Sequence, residues 1–412
     1  MNFNYQLKCN TCESLIDVRV GMSNRDETPM RFACVNCGEP IHIIYPRKGG
    51  IKIKGAVSLP FEGPFDGSNP FVDLHIDFPV SFEPYVMGMT AFMKGVQRIG
   101  YENYQVHNHR LNALNFLYPK VDTIKRVMRL YDKNPDLFGR LCKKEFSEEL
   151  RSSEQKDLNL ALYAVIAKVF FPFSMPNENA ESVNIFMRVT RDLMQGKKEA
   201  FDKFIRDIIS NDFLKNLQKD CLEIYPEILK YELVFRPALF FDFDQQYQNE
   251  LVAFRVSTDE FLTYKDLYKD ISEIMSRQLV LIAGINNIIL RGDHNEFGDF
   301  GKRTPKSLNK YADVAFGQKI EFLDDCWYEI DESLYDNQLR NSIAHFKAEY
   351  DDVSQKITYY PRKEGMNQEK QETLFFMDFI RKCLLSYREM HRMHHLIKCL
   401  FNYYYIIYSE KA

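Results

Sequence analysis

Two Cys-x2-Cys pairs near the amino terminus, Cys9-Asn-Thr-Cys12 and Cys34-Val-Asn-Cys37, limit what this chain can fold into more than any other feature. The pairs are separated by 21 residues, close to the spacing of a four-thiolate zinc set. Strand-like runs flank them: Leu15-Ile-Asp-Val-Arg-Val20 after the first pair and Ile41-His-Ile-Ile-Tyr45 after the second. Gly38 follows the second pair where a metal knuckle wants a left-handed residue. Glu13, in the matching place after the first pair, departs from that pattern. Four thiolates fill a tetrahedral shell and leave no open position, so one zinc per chain, held by Cys9, Cys12, Cys34 and Cys37, would be structural. Unrelated reduced thiols are the alternative. Cys142, Cys221, Cys326, Cys383 and Cys399 lie in helical patterns and read as ordinary buried thiols.

Residues 1–50 therefore read as a small β zinc ribbon. The Pro- and Gly-rich stretch 51–85 reads as a β extension and linker, with alternating pieces such as Ile51-Lys-Ile-Lys54 and Val72-Asp-Leu-His-Ile-Asp77. The pattern is helical from 86 to 257 and again over 258–412, so the fold class is mainly α. A chain of 412 residues that is 45% hydrophobic and 27% charged suits two or three globular domains. No signal peptide is seen, and the apolar run Leu279–Leu290, broken by Gly284 and two asparagines, is too short to span a bilayer. Nine cysteines with a zinc signature fit a reducing cytoplasm.

A net charge of −4 argues against a surface that coats nucleic acid uniformly. One window is basic: from Lys120 to Lys144 eight Lys and Arg face three Asp. Within it Lys125, Arg129 and Lys133 recur every four residues along one helix face, a rail for RNA phosphates or a solvated face that balances acidic neighbours. Asp242-Phe-Asp244 and His107-Asn-His109 lack partners at ligand spacing.

Function turns on Arg340-Asn341-Ser342-Ile343-Ala344-His345. A histidine moves protons near neutral pH, and an arginine grips a phosphate through two parallel hydrogen bonds. The stretch resembles the Arg-x(4–6)-His signature of the HEPN superfamily of ribonucleases, in the Arg-Asn-x-x-x-His form of type VI CRISPR effectors and abortive-infection proteins. The surroundings are similar as well. A strong amphipathic helix over 263–291 stops at Arg291-Gly292-Asp293, and a helix over 332–346 ends on the motif. A strand-like Lys356–Pro361 follows, forming a short hairpin, and one long helix or two cover 369–408. The resemblance spans roughly 258–412 and implies a helical bundle. It also implies metal-independent cleavage of RNA to a 2′,3′-cyclic phosphate, in phage defence or as a toxin. Arg340 would clamp phosphate, His345 would transfer the proton, and Asn341 would orient the pair.

Tyr335, Leu339, Ile343 and Phe346 form the apolar stripe of the 332–346 helix, and His345 falls about 240° from Leu339, facing outward. Arg340 lies about 140° from His345 on a regular helix. The two converge only if the helix ends or kinks between them, if the long arginine side chain wraps round, or if a second subunit supplies one of the pair. The family resemblance implies the last, a homodimer with paired motifs. Arg388, ahead of His394 and His395, has similar spacing but sits in a long amphipathic helix, with Glu389 next to it. It reads as a polar stripe of the bundle. A reading from another class makes the bundle a non-catalytic dimerisation and docking surface, with the ribbon recruiting a protein partner.

Overall fold

The computed structural model describes residues 2–46, 48–61, 63–244, 246–247, 253–345, 347–361 and 370–408. The chain is mainly α with small β-sheets. Strands come first: β1 (Asn2–Cys9), β2 (Leu15–Gly21), β3 (Glu27–Ala33), β4 (Pro40–Pro46), β5 (Lys52–Lys54), β6 (Ala56–Leu59), β7 (Phe71–Leu74) and β8 (Val80–Ser81). They form one sheet in the order β6-β1-β2-β7, where only β2 and β7 run parallel, and another in the order β3-β4-β5.

Both sheets feed one apolar core, with Leu7, Val18 and Val20 from the first and Met30, Phe32, Ile41 and Ile43 from the second. Strand β2 is central and buried from Ile16 onward. Its two polar side chains are satisfied inside: Asp17 accepts from Gln6 and Asn69, and Arg19 pairs with Asp73. The chain crosses from the second sheet to the first at Gly55, whose φ is 87°. A Cβ there would meet the Pro40 carbonyl oxygen at 2.4 Å, so glycine is required. The stretch expected as extension and linker thus supplies β5, β6 and β7, which complete both sheets.

Helices follow: α1 (Ala91–Leu117), α2 (Val121–Lys133), α3 (Pro135–Phe146), α4 (Gln155–Phe170), α5 (Pro176–Gly196), α6 (Lys198–Ser210), α7 (Phe213–Lys230) and α8 (Glu232–Phe240). Strand β9 (Phe254–Arg255) then pairs with β8. The rest comprises α9 (Lys265–Arg291), the short α10 (Leu308–Ala312) and α11 (Phe316–Lys319), α12 (Asn337–Ala344), β10 (Ala348–Asp351), β11 (Lys356–Tyr359), β12 (Glu372–Phe375) and α13 (Phe376–Asn402).

Contacts divide the chain into two compact units, each drawn from three stretches rather than from consecutive segments. Unit 1 holds Met1–Tyr118, Tyr231–Asp266 and Asn341–Leu384; unit 2 holds Pro119–Lys230, Leu267–Arg340 and Leu385–Ala412. In unit 1 the fully buried Arg236 of α8 pairs with Asp77 at 2.9 Å and Glu232 at 2.6 Å, and Arg25 closes the cluster on Glu232. In unit 2 the core helix is α9. The stretch Phe261–Arg291 is long and apolar enough to cross a membrane by length and composition, yet 78% of its apolar window is buried in the fold. Lys197 donates to the carbonyls of Ile288 and Ile289 and so caps its last turn.

Three elements differ from the sequence expectation. The helix expected over 332–346 is an isolated 3-10 turn at Glu332–Leu334 followed by α12 alone. Asp336 accepts the Leu339 amide at 2.9 Å, which starts α12 there and separates it from the turn. Phe346 lies outside the described residues. The hairpin after the motif is a three-stranded antiparallel meander, β10-β11-β12. Its third strand takes Glu372–Phe375 from the segment expected as helix, because Ile357 and Leu374 pair across β11 and β12.

Candidate functional site

The two Cys-x2-Cys pairs fold into matching knuckles. The amide of Glu13 donates to the carbonyl of Cys9 at 3.1 Å, and that of Gly38 to Cys34 at 2.8 Å. The amide of each leading cysteine reaches five residues onward, Cys9 to the carbonyl of Ser14 and Cys34 to that of Glu39. Gly38 has φ 76° and Glu13 has φ 59°, so the residue that departed from the pattern still adopts the left-handed turn. Glu13 turns its carboxylate outward to Lys8 at 2.9 Å.

The knuckles bring the four sulfur atoms within 4.8 Å of one another, so Cys9, Cys12, Cys34 and Cys37 can hold a metal ion. Cys9–Cys37 and Cys12–Cys34 are each 3.7 Å apart. A tetrahedron with metal–sulfur bonds of roughly 2.3 Å has edges of about 3.8 Å. The spacing therefore fits four thiolates around one ion and is far too long for disulfides. The Ser14 hydroxyl, and after it the Asn36 side chain, pulls the Cys12 thiol down to about 5. Four thiolates repel at this range, so a cation must replace the remaining protons as it binds. Among the other cysteines Cys142, Cys221 and Cys383 are buried, and burial pushes the Cys142 thiol up to about 12.

On α12, Leu339 and Ile343 are buried, Asn341 is half-buried and His345 is exposed at the helix end. The His345 amide donates to the carbonyl of Asn341 at 2.9 Å, so helical bonding runs unbroken to the histidine. The Arg340 amide likewise donates to the carbonyl of Asp336 at 3.1 Å, so the backbone is helical at both motif residues. The boundary between the units falls after Arg340, which leaves Arg340 in unit 2 and Asn341 and His345 in unit 1.

In unit 2 the arginine has a partner that the sequence did not point to. Its guanidinium pairs with Glu273 of α9. Glu273 lines an open cleft of ≈ 1120 Å³ walled by α2, α7 and α9. Lys125, Arg129 and Lys133 of α2 line that same cleft, so the basic rail and the motif arginine border one feature of unit 2. The lining is not simply basic. Six cationic and seven anionic side chains face it, and Lys125 pairs with Glu227, Lys215 with Asp132 and Arg277 with Asp220. Glu273 was missed because a single carboxylate on an amphipathic helix carries no local signal; only its ion pair with Arg340 in unit 2 marks it.

The remaining polar candidates are structural. Asp242 is held by Arg110 and Arg381, and Asp244 by Arg98. His107 is buried against the Asp77 carbonyl at 2.9 Å, and burial pushes its imidazole down to about 4. Arg388, His391 and His394, on the polar stripe of their helix, are buried in unit 2. No family model, curated protein or solved structure matches the chain.

Proposed function

We propose that the chain is a metal-independent endoribonuclease of the HEPN type, serving as a phage-defence or toxin effector. The RNA 2′-hydroxyl attacks the adjacent phosphorus and the 5′-oxygen leaves, giving a 2′,3′-cyclic phosphate. His345 acts as general acid or base, Arg340 holds the non-bridging oxygens, and Asn341 orients that arginine–histidine pair. What carries the reading is that two independent sequence signals meet in unit 2: the cleft lined by Lys125, Arg129 and Lys133 is also lined by the partner of Arg340. The helical backbone at Arg340 and His345 supports a homodimer, since a regular helix sets these positions about 140° apart and a second copy can supply the missing group. The decisive assay is cleavage of RNA by the purified protein in EDTA, wild type beside His345→Ala. Activity in the wild type alone supports the mechanism.

The ion at the four thiols is zinc in this reading, held structurally, and the module around it is a recruitment domain for a protein partner or trigger. Elemental analysis should find about one zinc per chain, lost in Cys34→Ala/Cys37→Ala. Gently purified protein without metal would remove this part of the reading. The carboxylates of the cleft favour a second reading, a non-catalytic docking module. Absence of cleavage by a dimer that binds RNA or protein would select it.

A further inference from the structure

The cleft of unit 2 neutralises itself. Three of its lining cations are already occupied by carboxylates, Lys125 by Glu227, Lys215 by Asp132 and Arg277 by Asp220, and the lining Glu273 is paired with Arg340. The last pair differs from the others in its accessibility. Arg340 keeps only 24% of its side-chain surface exposed, while Glu273 keeps 47%, so the carboxylate is the more solvent-facing partner and the guanidinium the more enclosed one. A carboxylate and a phosphate make the same demand on an arginine, two acceptor oxygens in one plane. The guanidinium cannot offer that edge to both, and two anions close to one cation repel each other.

We propose that Glu273 is a built-in competitor of RNA for Arg340: its carboxylate occupies the phosphate-binding edge in the resting protein, and a single-stranded RNA lying along the cleft must displace it. The proposal rests on the ribonuclease reading for the identity of the polyanion, and it adds a specificity-determining residue to that site. Each cation released from an internal carboxylate takes up one phosphate, so the cleft admits a flexible strand with many phosphates more readily than a single anion. Occasional anions, such as inorganic phosphate, do not gain enough to break the pair.

The test measures binding separately from cleavage. In full-length protein carrying His345→Ala, binding of a fluorescently labelled single-stranded RNA is followed by anisotropy in EDTA at 0.1 M salt. Glu273→Gln, which keeps size and removes charge, should tighten binding by about tenfold, the order expected when one carboxylate beside a phosphate is neutralised. Glu273→Ala, which cannot form a new hydrogen bond to the arginine, should tighten it likewise. Either change should have no effect once Arg340→Ala is present. Unchanged or weaker binding in both Glu273 variants overturns the proposal, as does a gain that persists without Arg340. With His345 restored, cleavage by the wild type alongside unchanged binding in the Glu273 variants would remove the competitor and leave the ribonuclease. Tightened binding with no cleavage by any variant would keep the competitor and remove the ribonuclease.

Discussion

Two stretches of this chain set an arginine five to seven residues ahead of a histidine, and they fold in opposite ways. Around Arg340 the helix is eight residues long, and His345 ends it exposed. Around Arg388 the helix is 27 residues long and the polar groups are turned inward. Arg388 donates to the Phe173 carbonyl at 2.6 Å, while His391 and His394 both meet the Tyr225 hydroxyl, at 2.7 and 2.8 Å. That hydroxyl has one proton to give, so it donates to one ring and accepts from the other, which fixes opposite tautomers at the two Nδ1 atoms. Burial lowers both imidazoles well below their ordinary range. Spacing nominates both stretches; exposure separates a histidine that can meet a substrate from one that must stay neutral to be buried.

The largest expected difference between them is in rate. His345→Ala should lower RNA cleavage at least 10²-fold while unfolding stays within about 0.5 kcal/mol of wild type, since the side chain is exposed. Arg340→Ala should match it in cleavage, and Asn341→Ala should lose less. Undiminished cleavage by His345→Ala, or a strict need for a divalent cation, would falsify the mechanism.

Arg388→Ala should reverse the pattern. It removes a nearly buried side chain and its hydrogen bond to the Phe173 carbonyl, so denaturant titration should show a loss of about 2–3 kcal/mol. Cleavage per folded molecule should not change. A loss of cleavage with stability intact would mean that the buried stretch was the functional one after all.

Acid should act through the buried stretch as well. His391, His394 and His395 all have imidazoles pushed down first by burial, His395 to about 4. A depressed folded value means that the unfolded chain binds the proton more readily. Stability is therefore complete above the unfolded value near 6.5 and is lost as pH falls from there toward about 4. Unfolding midpoints measured from pH 7.5 to 4.5 should fall more steeply in wild type than in His395→Gln. Parallel profiles would show that these rings do not set the acid limit.

Tyr225→Phe should give the smallest effect. It deletes the shared hydroxyl and leaves the rings packed, for a cost of about 1–2 kcal/mol. No measurable change in melting temperature would show that the two imidazoles find other partners.

Much of the local structure was readable from residue order. The two Cys-x2-Cys pairs and Gly38 announced the knuckles, and short runs rich in Val and Ile marked β2 and β4, because a four-thiolate site and a strand are set by residues along one short segment. The stop of α9 at Arg291-Gly292 was also local, since Gly292 takes the left-handed turn with φ 86°. The sequence by itself thus determined which residues could gather a metal and which face of α12 would be apolar.

Packing decided the rest. Nothing near Glu13 told that it would adopt a left-handed backbone without being glycine; the matching hydrogen bonds of the two knuckles impose it. Lys356–Tyr359 looked like one arm of a hairpin, and only pairing with Glu372–Phe375 made that segment a strand. Whether the histidines of α13 faced water depended on Tyr225 and Tyr163, more than 160 residues away in the chain for Tyr225. The pairing of Arg340 with Glu273 joins residues 67 positions apart within unit 2. These contacts join distant segments, and a side chain's exposure or its charged partner is a property of the surface that closes over it rather than of its neighbours in sequence.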